Sequence, residues 1–330
     1  MTAIYDVCGV GNAIVDVIAP CDDAFLERHG IARGAMTLIF DEAAGDALLA
    51  AMGESHTVAG GSGANSIAGI ASLGGRAAYI GKVGDDRLGT IFRDGMSAEG
   101  VAYDTPSHSG GPSSGRCLIN VTPDGQRSMS TYLGCSPLMT ESDLDEARIG
   151  GARILFLEGY LFDRDEAKAA FVAAAEIARR HGRQVALSLS DLFCVDRHGP
   201  SFRQLVRNHI DILFANEAEI MQLYGTTDFA EAVEAVRADC GFAALTRSEK
   251  GAVMVADGNV VEIAAEPVAQ VVDTTGAGDL FAAGVLFGLA NGRDAATCGR
   301  LGAMAAAEVI SHYGPRPETS LKALAAARGL

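Results

Sequence analysis

The stretch Asp273-Thr274-Thr275-Gly276-Ala277-Gly278-Asp279 leads directly into the apolar run 280–290, which predicts a tight glycine turn that opens a helix. The first amides of a helix have no partner inside it, and the helix dipole adds partial positive charge there. The amides from Gly276 to Gly278 are therefore candidates for a phosphate site. Asp279 is placed beside that site to accept a proton from an attacking hydroxyl group. The alternative is a glycine turn in which Asp279 is only a first-turn helix charge.

The composition limits the classes of partner. The chain of 330 residues has a formal net charge of −16, from 42 acidic and 26 basic residues, which disfavours binding to nucleic acid or to an anionic membrane surface. Hydrophobic residues make up 48%, which fits a globular protein with a substantial core. The most apolar run, 280–290, is shorter than the ~20 residues that span a bilayer. We expect neither nucleic acid nor a membrane as a partner.

Cysteine usage and the N-terminal residues indicate the compartment. The seven cysteines are widely spaced and form no Cys-x-x-Cys motif, so neither a disulfide framework nor a zinc site is indicated. Residues 1–6 lack the basic segment and apolar core of a signal peptide. From these features we expect a cytoplasmic protein.

Two further glycine-containing loops carry polar candidates. Gly60-Gly61-Ser62-Gly63-Ala64-Asn65 precedes a predicted helix, but no Gly-Lys-Ser/Thr follows, so it is not a Walker phosphate-binding loop. Gly61 suits a hinge and Asn65 a contact to a ligand hydroxyl; the alternative is a helix cap and turn.

The other loop is Gly9-Val10-Gly11-Asn12-Ala13-Ile14-Val15-Asp16, which follows a predicted buried strand. A dinucleotide fingerprint is disfavoured because Ile14 occupies the place of its third small residue. Asn12 and Asp16 suit hydrogen bonds to vicinal sugar hydroxyls. The alternative is that Asn12 is a turn residue and Asp16 a surface acid.

Short apolar runs alternate with amphipathic segments along most of the chain, which predicts a largely parallel sheet with helices on both faces. In such sheets ligands bind outside the carboxyl ends of the strands. Five polar residues fall just beyond predicted strand ends: Asp16, Asp191, Asn216, Thr246 and Asp279. The pattern Asp163-Arg164-Asp165-Glu166 predicts a capping box at the start of one helix.

A hairpin interrupts this alternation. Two β-like segments, 116–121 and 128–133, flank the turn signal Pro-Asp-Gly at 123–125. Together with strands near 14–18 and 37–40, the hairpin could build a small separate sheet. Arg127 lies just beyond the turn and could reach a phosphate; the alternative is a solvated hairpin charge.

The spacing of the pair Asn216-x-x-Glu219 is compatible with two interpretations. Asn followed three residues later by Glu is a capping box, which needs no ligand. Alternatively, Glu219 lies near a Mg²⁺ ion and its waters, because Mg²⁺ usually keeps several waters and few direct protein ligands.

Taken together, these motifs resemble those of the ribokinase-like (PfkB-type) carbohydrate and nucleoside kinases, over essentially the whole chain. The matching motifs are the 273–279 stretch with Ala283-Gly284, the Gly60 loop and Asn216-x-x-Glu219. The segment from Gly9 to Asp16 is most similar to the adenosine-kinase branch. The resemblance implies an α/β fold with a mainly parallel sheet flanked by helices and a small β-sheet lid. It assigns 1–12, 41–100 and 134–330 to the large catalytic domain, and 13–40 and 101–133 to the discontinuous lid.

The resemblance also implies roles for individual residues. Asp279 would be the catalytic base beside an anion hole formed by the amides of Gly276, Ala277 and Gly278. The acceptor would be held by Asn12, Asp16, Gly61, Asn65 and Tyr160. ATP would contact Asn216, Thr246, Arg247, Gly251 and Arg127, with its adenine between residues 264–268 and 303–307. One departure concerns Arg247-Ser248, where many members have a glycine soon after the threonine.

The implied cofactors are ATP and Mg²⁺, with Glu219 near Mg²⁺ through water. Many members also bind a monovalent cation such as K⁺, and the matching positions here are Asp273, Thr275 and Gly314. Candidates for an apolar slot for a purine are Ile14, Ile39, Phe40, Cys117, Tyr160 and Phe162.

These expectations combine into one predicted reaction, the transfer of the ATP γ-phosphoryl group to a primary hydroxyl of an adenosine-like ribonucleoside. The alternatives are a sugar kinase of the same fold acting on a free pentose or hexose, such as ribose or fructose, and a non-catalytic ligand-binding member. A Rossmann dehydrogenase is disfavoured by Ile14. An exposed edge of the lid sheet could pair with a second copy to form a homodimer.

Overall fold

The computed structural model describes residues 3–330. The strands are, in chain order, β1 Tyr5–Val10, β2 Ile14–Pro20, β3 Met36–Ile39, β4 His56–Gly60, β5 Ala77–Ile80, β6 Gly115–Val121, β7 Arg127–Tyr132, β8 Ala152–Glu158, β9 Gln184–Ser188, β10 Ile212–Asn216, β11 Phe242–Thr246, β12 Ala252–Ala256 and β13 Asn259–Ile263. The α-helices are α1 Asp23–His29, α2 Glu42–Ala51, α3 Ser62–Ser72, α4 Arg87–Ala98, α5 Glu146–Gly150, α6 Asp165–Arg180, α7 Leu192–His209, α8 Glu217–Tyr224, α9 Phe229–Asp239, α10 Ala277–Ala290, α11 Ala295–Val309 and α12 Leu321–Ala327.

The larger sheet has the strand order β13-β12-β11-β10-β9-β8-β1-β5. All neighbours from β11 to β5 are parallel, whereas β12 and β13 form an antiparallel hairpin at one edge. The carboxyl ends of the parallel strands therefore lie at one edge of the sheet, where ligands bind in folds of this kind. The predicted mainly parallel α/β architecture is confirmed.

Helices cover both faces of this sheet. Along β8, Ile154 and Phe156 pack into the core that contains α3, α10 and α11, whereas Leu155 and Leu157 pack into the core that contains α6 and α7. Strands buried on both faces are nearly continuous apolar runs, as the sequence of β8 is. Among the described residues, no helix has the length and apolarity that a membrane crossing requires.

The smaller sheet has the order β3-β7-β6-β2-β4. The predicted hairpin is present as β6 and β7, and strands near 14–18 and 37–40 join it, as expected. The sheet also contains β4, which lies inside the range 41–100 that we assigned to the large domain. Helix α2 packs on this sheet as well, because Leu48 and Met52 share a core with Val17 and Leu118. The domain boundaries stay a prediction, and residues 1 and 2 of the first range lie outside the described residues.

Two local expectations were wrong for the same reason. The predicted capping box at Asp163 does not form, since α6 begins at Asp165 without a side-chain cap; the Asp163 carboxylate is hydrogen-bonded instead to His198, at 2.7 Å, and to Arg197. Asp16 does not follow a strand end of the larger sheet but lies inside β2 of the smaller one. In both cases, contacts with residues that are distant in the sequence, and not the local pattern, determine the role of the side chain.

The contact between α10 and α11 gives a test of the core. A methyl group on Gly284 would lie within 2.5 Å of the Gly302 backbone nitrogen, whereas one on Gly278, in the same helix, would meet nothing within 4 Å. Because backbone cannot move aside cheaply, we expect Gly284→Ala to lower the free energy of unfolding by about 1–3 kcal/mol. Chemical denaturation measures this, with Gly278→Ala as the matched control. Equal stability of the two variants would contradict the packing.

Candidate active site

Asp279 lies in the first turn of α10, where that helix meets the first turn of α3. Its Oδ1 accepts a hydrogen bond from Ser62 Oγ at 2.6 Å, and its Oδ2 accepts one from Asn65 Nδ2 at 2.9 Å. The surrounding protein raises the pKa of this carboxyl by desolvation, and the bonds from Ser62 and Asn65 offset only part of the rise. The two glycine loops that are far apart in the sequence therefore meet at this carboxylate.

The turn before α10 has the predicted shape. Gly276 has φ 81° and is the N-cap, a left-handed conformation that suits glycine, and a side chain there would strike Pro315. The amide of Ala277 donates to the Thr274 carbonyl at 3.2 Å. The amides of Gly278 and Asp279 belong to the first helical turn, where no intrahelical acceptor exists.

The residues predicted to hold the acceptor surround Asp279 on one side. The Asp16 side chain extends from β2 towards Gly60. A side chain at position 60 would collide with the Asp16 carboxylate. Gly61 has φ 93° and precedes α3. The buried Asn65 Oδ1 has no hydrogen-bond partner among the described residues, so it can accept a bond from a ligand. Burial raises the pKa of Asp16 to about 7, and Arg316 opposes that rise.

Glu158 is a buried acid that the sequence analysis missed. Its carboxylate accepts hydrogen bonds from Asn12 Nδ2 at 3.1 Å and from the Gly63 amide at 2.8 Å, and Asn12 Oδ1 accepts one from Ser136. Desolvation raises the pKa of Glu158 to about 7. A signal was present, because Glu158 follows the predicted strand 154–157 directly. Glu158 joins the Asn12 loop to the Gly60 loop.

Arg127 reaches the glycine turn from the start of β7. Its Nη2 lies 3.0 Å from Asp273 Oδ2, which also accepts from the Gly314 amide. The side chain is 5% exposed, yet its Nε and Nη1 have no partner within the described part of the chain. Two buried donors are therefore free beside the turn of Gly276.

The side chains predicted to hold a monovalent cation are already engaged with one another. Asp273 Oδ1 accepts from the amide and the hydroxyl of Thr275, while Oδ2 accepts from Gly314 and Arg127. With an arginine paired to this carboxylate, the Asp273 and Thr275 side chains do not fit a cation site in this conformation. A K⁺ site stays a prediction from the resemblance.

A cavity of about 640 Å³ opens at the carboxyl ends of β9, β10 and β11 and extends to Asp279. We refer to it as the main cavity. Of the residues predicted for ATP, its metal and the anion hole, it is lined by Asn216, Glu219, Thr246, Gly251, Ala277 and Gly278. The expected adenine walls also line it, with Ala265 to Val268 on one side and Ala303, Ala306 and Ala307 on the other.

Two predicted ATP contacts, Arg127 and Arg247, do not line the main cavity. Arg127 pairs with Asp273, whereas Arg247 is turned towards Glu217. The Arg247 guanidinium pairs with Glu217 at 2.9 Å and lies over the Phe229 ring, 4.3 Å from the ring centroid. The ion pair with Glu217 thus keeps the Arg247 side chain out of the main cavity. Ser248 and Glu249 line the cavity instead.

Glu219 forms the complete capping box with Asn216. Glu219 Oε2 accepts from the Asn216 amide at 2.8 Å, Oε1 accepts from its Nδ2, and the Glu219 amide donates to Asn216 Oδ1. Desolvation raises the pKa of Glu219 to about 7. The described residues contain no cluster of three or more His, Cys, Asp or Glu side chains suited to a metal. A contact of Glu219 to Mg²⁺ through water fits this arrangement better than a cage of direct ligands.

The purine-slot candidates separate into two groups. Ile14 and Cys117 lie in an apolar cluster with Ile119 on the face of the smaller sheet that carries Asp16. Ile39 packs on the other face, towards α2, and Phe162 is stacked on Phe202 in the core of the larger domain, so these two candidates were wrong. Phe40 is 88% exposed, and Tyr160 is half-buried beside Ser190.

Arg316 is a second functional candidate that the sequence did not reveal. It follows the turn at Gly314, and its guanidinium pairs at 2.5 Å with Glu99, the residue after α4. Its charge lowers the pKa values of both Asp16 and Asp279, and burial lowers its own. Arg316 therefore supplies positive charge to a site that is otherwise rich in carboxylates.

Comparison with known proteins is consistent with this geometry. The model of the pfkB family of carbohydrate kinases matches residues 32–321. The protein belongs to the PfkB family. It is 48% identical to the adenosine kinase from Sinorhizobium meliloti, whose crystal structure superposes with a TM-score of 0.91 over 99% of this chain and 100% of that one. A probable sugar kinase from Rhizobium etli is 45% identical, with a TM-score of 0.92 over 99% of each chain.

A curated relative, the adenosine kinase of Saccharomyces cerevisiae, is 26% identical over 330 residues, which cover 93% of this chain and 95% of that protein. As a PfkB kinase, the protein is a phosphotransferase that acts on a hydroxyl group of a nucleoside or a sugar. The predicted family and enzyme class are confirmed, and so is the ribokinase-like fold.

The buried carboxyls of this PfkB kinase predict an unusual dependence of stability on pH. Burial raises the pKa values of Asp16, Glu158 and Glu219 to about 7, from ordinary values of 3.8 and 4.5. Between about pH 4.5 and 7 the folded protein then binds more protons than the unfolded chain, so stability falls as the pH rises. We expect the midpoint of thermal unfolding to fall between pH 5 and pH 7 and to level off above that.

The variant Glu158→Gln removes one of these groups and should flatten the slope. Carboxyls with lowered pKa values, such as Asp86 and Asp163, titrate below their ordinary range and act outside this window. An unfolding midpoint that rises steadily from pH 5 to pH 7 would contradict the assignment of raised pKa values.

Proposed function

We propose that the protein is an ATP-dependent kinase that transfers the γ-phosphoryl group to a primary hydroxyl of an adenosine-like ribonucleoside. The observation that carries this proposal is the position of Asp279. Its carboxylate lies at the end of the main cavity and, on its other side, next to Asn65 and the Gly60 loop. This position supports a proton acceptor at the junction of the proposed nucleotide and acceptor sites.

In the proposed complex the acceptor sugar is bound by the polar groups around Asp279. The Asp16 carboxylate would accept bonds from vicinal hydroxyls, and the unpartnered Asn65 Oδ1 would accept another. Glu158 keeps Asn12 and the Gly63 amide in place, which orients the set before the ligand arrives. Such preorganisation lowers the entropy cost of binding.

The chemistry follows from this placement. Asp279 takes the hydroxyl proton while the hydroxyl oxygen bonds to the γ phosphorus and the bond to the β,γ-bridging oxygen breaks, which releases ADP. The free Nε and Nη1 donors of Arg127 and the first-turn amides of Gly278 and Asp279 would stabilise the charge on the transferring group. Mg²⁺, when bound, would neutralise phosphate charge, and Glu219 would hold one of its waters.

The choice of a nucleoside over a free sugar rests on two observations. The face of the smaller sheet that carries Asp16 also carries the buried apolar cluster of Ile14, Cys117 and Ile119, an environment that suits a purine base better than a free sugar. The similarity to an adenosine kinase at 48% identity extends along the whole chain. The similarity to a probable sugar kinase supports the alternative, a free pentose or hexose.

Two further expectations remain proposals. A homodimer could form through an edge of the smaller sheet, whose edge strands are β3 and β4; Met36 on β3 is 41% exposed. A cytoplasmic location stays a prediction of the sequence.

A panel of acceptors tests the substrate class. We expect adenosine, supplied with ATP, Mg²⁺ and K⁺, to give a kcat/KM at least about 100-fold above that of ribose or fructose, because burial of a purine adds a few kcal/mol of binding free energy. Inosine, guanosine and cytidine show how far the base is recognised. Release of ADP measures turnover. A preference for ribose or fructose would assign the protein to the sugar kinases, and no turnover with any acceptor would favour a ligand-binding role.

The role of Asp279 has a separate test. Asp279→Asn keeps the shape of the side chain and an acceptor oxygen for one of its two hydrogen bonds but cannot accept the proton, so we expect kcat to fall by roughly 10²–10⁴-fold with little change in ligand affinity. Asp294→Asn is the matched control, because Asp294 caps α11 and asparagine caps equally well. Retention of the wild-type kcat in Asp279→Asn would exclude Asp279 as the base.

A further inference from the structure

Ser62 is the first residue of α3 and lies next to Asp279. Its side chain lines the main cavity, and its hydroxyl donates to Asp279 Oδ1 at 2.6 Å. The preceding residue, Gly61, has φ 93°, so the chain turns sharply to bring Ser62 to this point. Neither the glycine motif nor the predicted acceptor contacts give this hydroxyl a role.

This hydrogen bond is one of two that hold the Asp279 carboxylate. Asn65, three residues later and on the same face of α3, donates to the other oxygen at 2.9 Å. With one donor on each oxygen, the carboxylate cannot rotate about its Cβ–Cγ bond without losing both hydrogen bonds. A short bond from a hydroxyl to an ionised carboxylate is also among the stronger hydrogen bonds in proteins.

We propose that Ser62 is a positioning residue for the proton acceptor, whose hydroxyl fixes the orientation of the Asp279 carboxylate and stabilises its negative charge. The proposal rests on the proposed function, in which Asp279 is the base. Ser62 does not exchange a proton with the substrate. It acts through Asp279, and its removal changes both the orientation and the basicity of the Asp279 carboxylate.

The charged and titratable groups around Asp279 come from several elements, and all remain when Ser62 is changed. They are Asp16 on β2, Tyr79 on β5, Glu158 at the end of β8, Tyr160 after it, and Arg316 after α11. Burial raises the pKa of Asp279, and the Ser62 bond is the largest effect that lowers it. Loss of that bond therefore moves the pKa upwards.

The test compares Ser62→Ala with wild type in the dependence of kcat on pH, with the best acceptor of the panel. We expect the acid limb of the profile to move to higher pH by about one unit, since a hydrogen bond to a charged group is worth about that much. The kcat at the optimum should fall about 10-fold, with KM values changed less than about 3-fold. Ser62→Thr keeps the hydroxyl and should restore the wild-type profile.

Ser66→Ala is the matched control. Ser66 is buried one turn further along α3, where its hydroxyl donates to the Ser62 carbonyl at 3.3 Å and has no contact with Asp279. We expect its pH profile to match wild type. If Ser62→Ala fails to fold, as its circular dichroism would show, Ser62→Cys carries the test with a weaker donor and a smaller shift.

The outcomes separate the inference from the function on which it rests. An acid limb that does not move in Ser62→Ala, or moves equally in Ser66→Ala, would overturn the positioning role, even if wild type is an active kinase and Asp279→Asn is inactive. If Asp279→Asn retained full activity, the proposed function would fail whatever Ser62→Ala does.

Discussion

One carboxylate and its two hydrogen bonds organise this protein. Asp279 on α10 accepts from Ser62 and Asn65 on α3, which are 217 and 214 positions away in the chain. Both helices begin at this point, so both contribute partial positive charge to it. That charge stabilises a carboxylate and would also attract a phosphate. The other residues of the site are arranged around these two helix ends.

The remaining electrostatics follow from burial of several acids in a small volume. Asp16, Glu158 and Asp279 each have a raised pKa because they are removed from water, and their charges repel one another as well. The chain has a net charge of −16, yet it places Arg316 near two of them and Arg127 beside Asp273. These two arginines allow a strongly acidic protein to present a site suited to a polyanionic nucleotide.

The sequence alone could predict those parts that depend on local patterns. Alternating apolar runs indicated the parallel sheet, Pro-Asp-Gly indicated the hairpin of β6 and β7, and the glycine turn indicated the start of α10. Glu158 and Arg316 were missed because their roles come from distant partners. Glu158 is bonded to residues 95 and 146 positions away, and Arg316 to one 217 positions away. No local pattern encodes such a pairing, although the position of Glu158 at a strand end was a usable sign.

The capping patterns at Asp163 and at Asn216-x-x-Glu219 show why the sequence pattern of a motif does not by itself determine the function of its residues. At Asp163 a cap was expected, but His198 and Arg197 compete for the carboxylate and the cap is lost. At Glu219 no other described side chain pairs with the carboxylate, and the reciprocal cap forms. Each carboxylate oxygen can accept more than one hydrogen bond, so the cap leaves Glu219, at the wall of the main cavity, able to hold a water. Capping and a water-mediated contact to a metal are therefore compatible at Glu219, because the cap gives the carboxylate the fixed direction that such a contact requires.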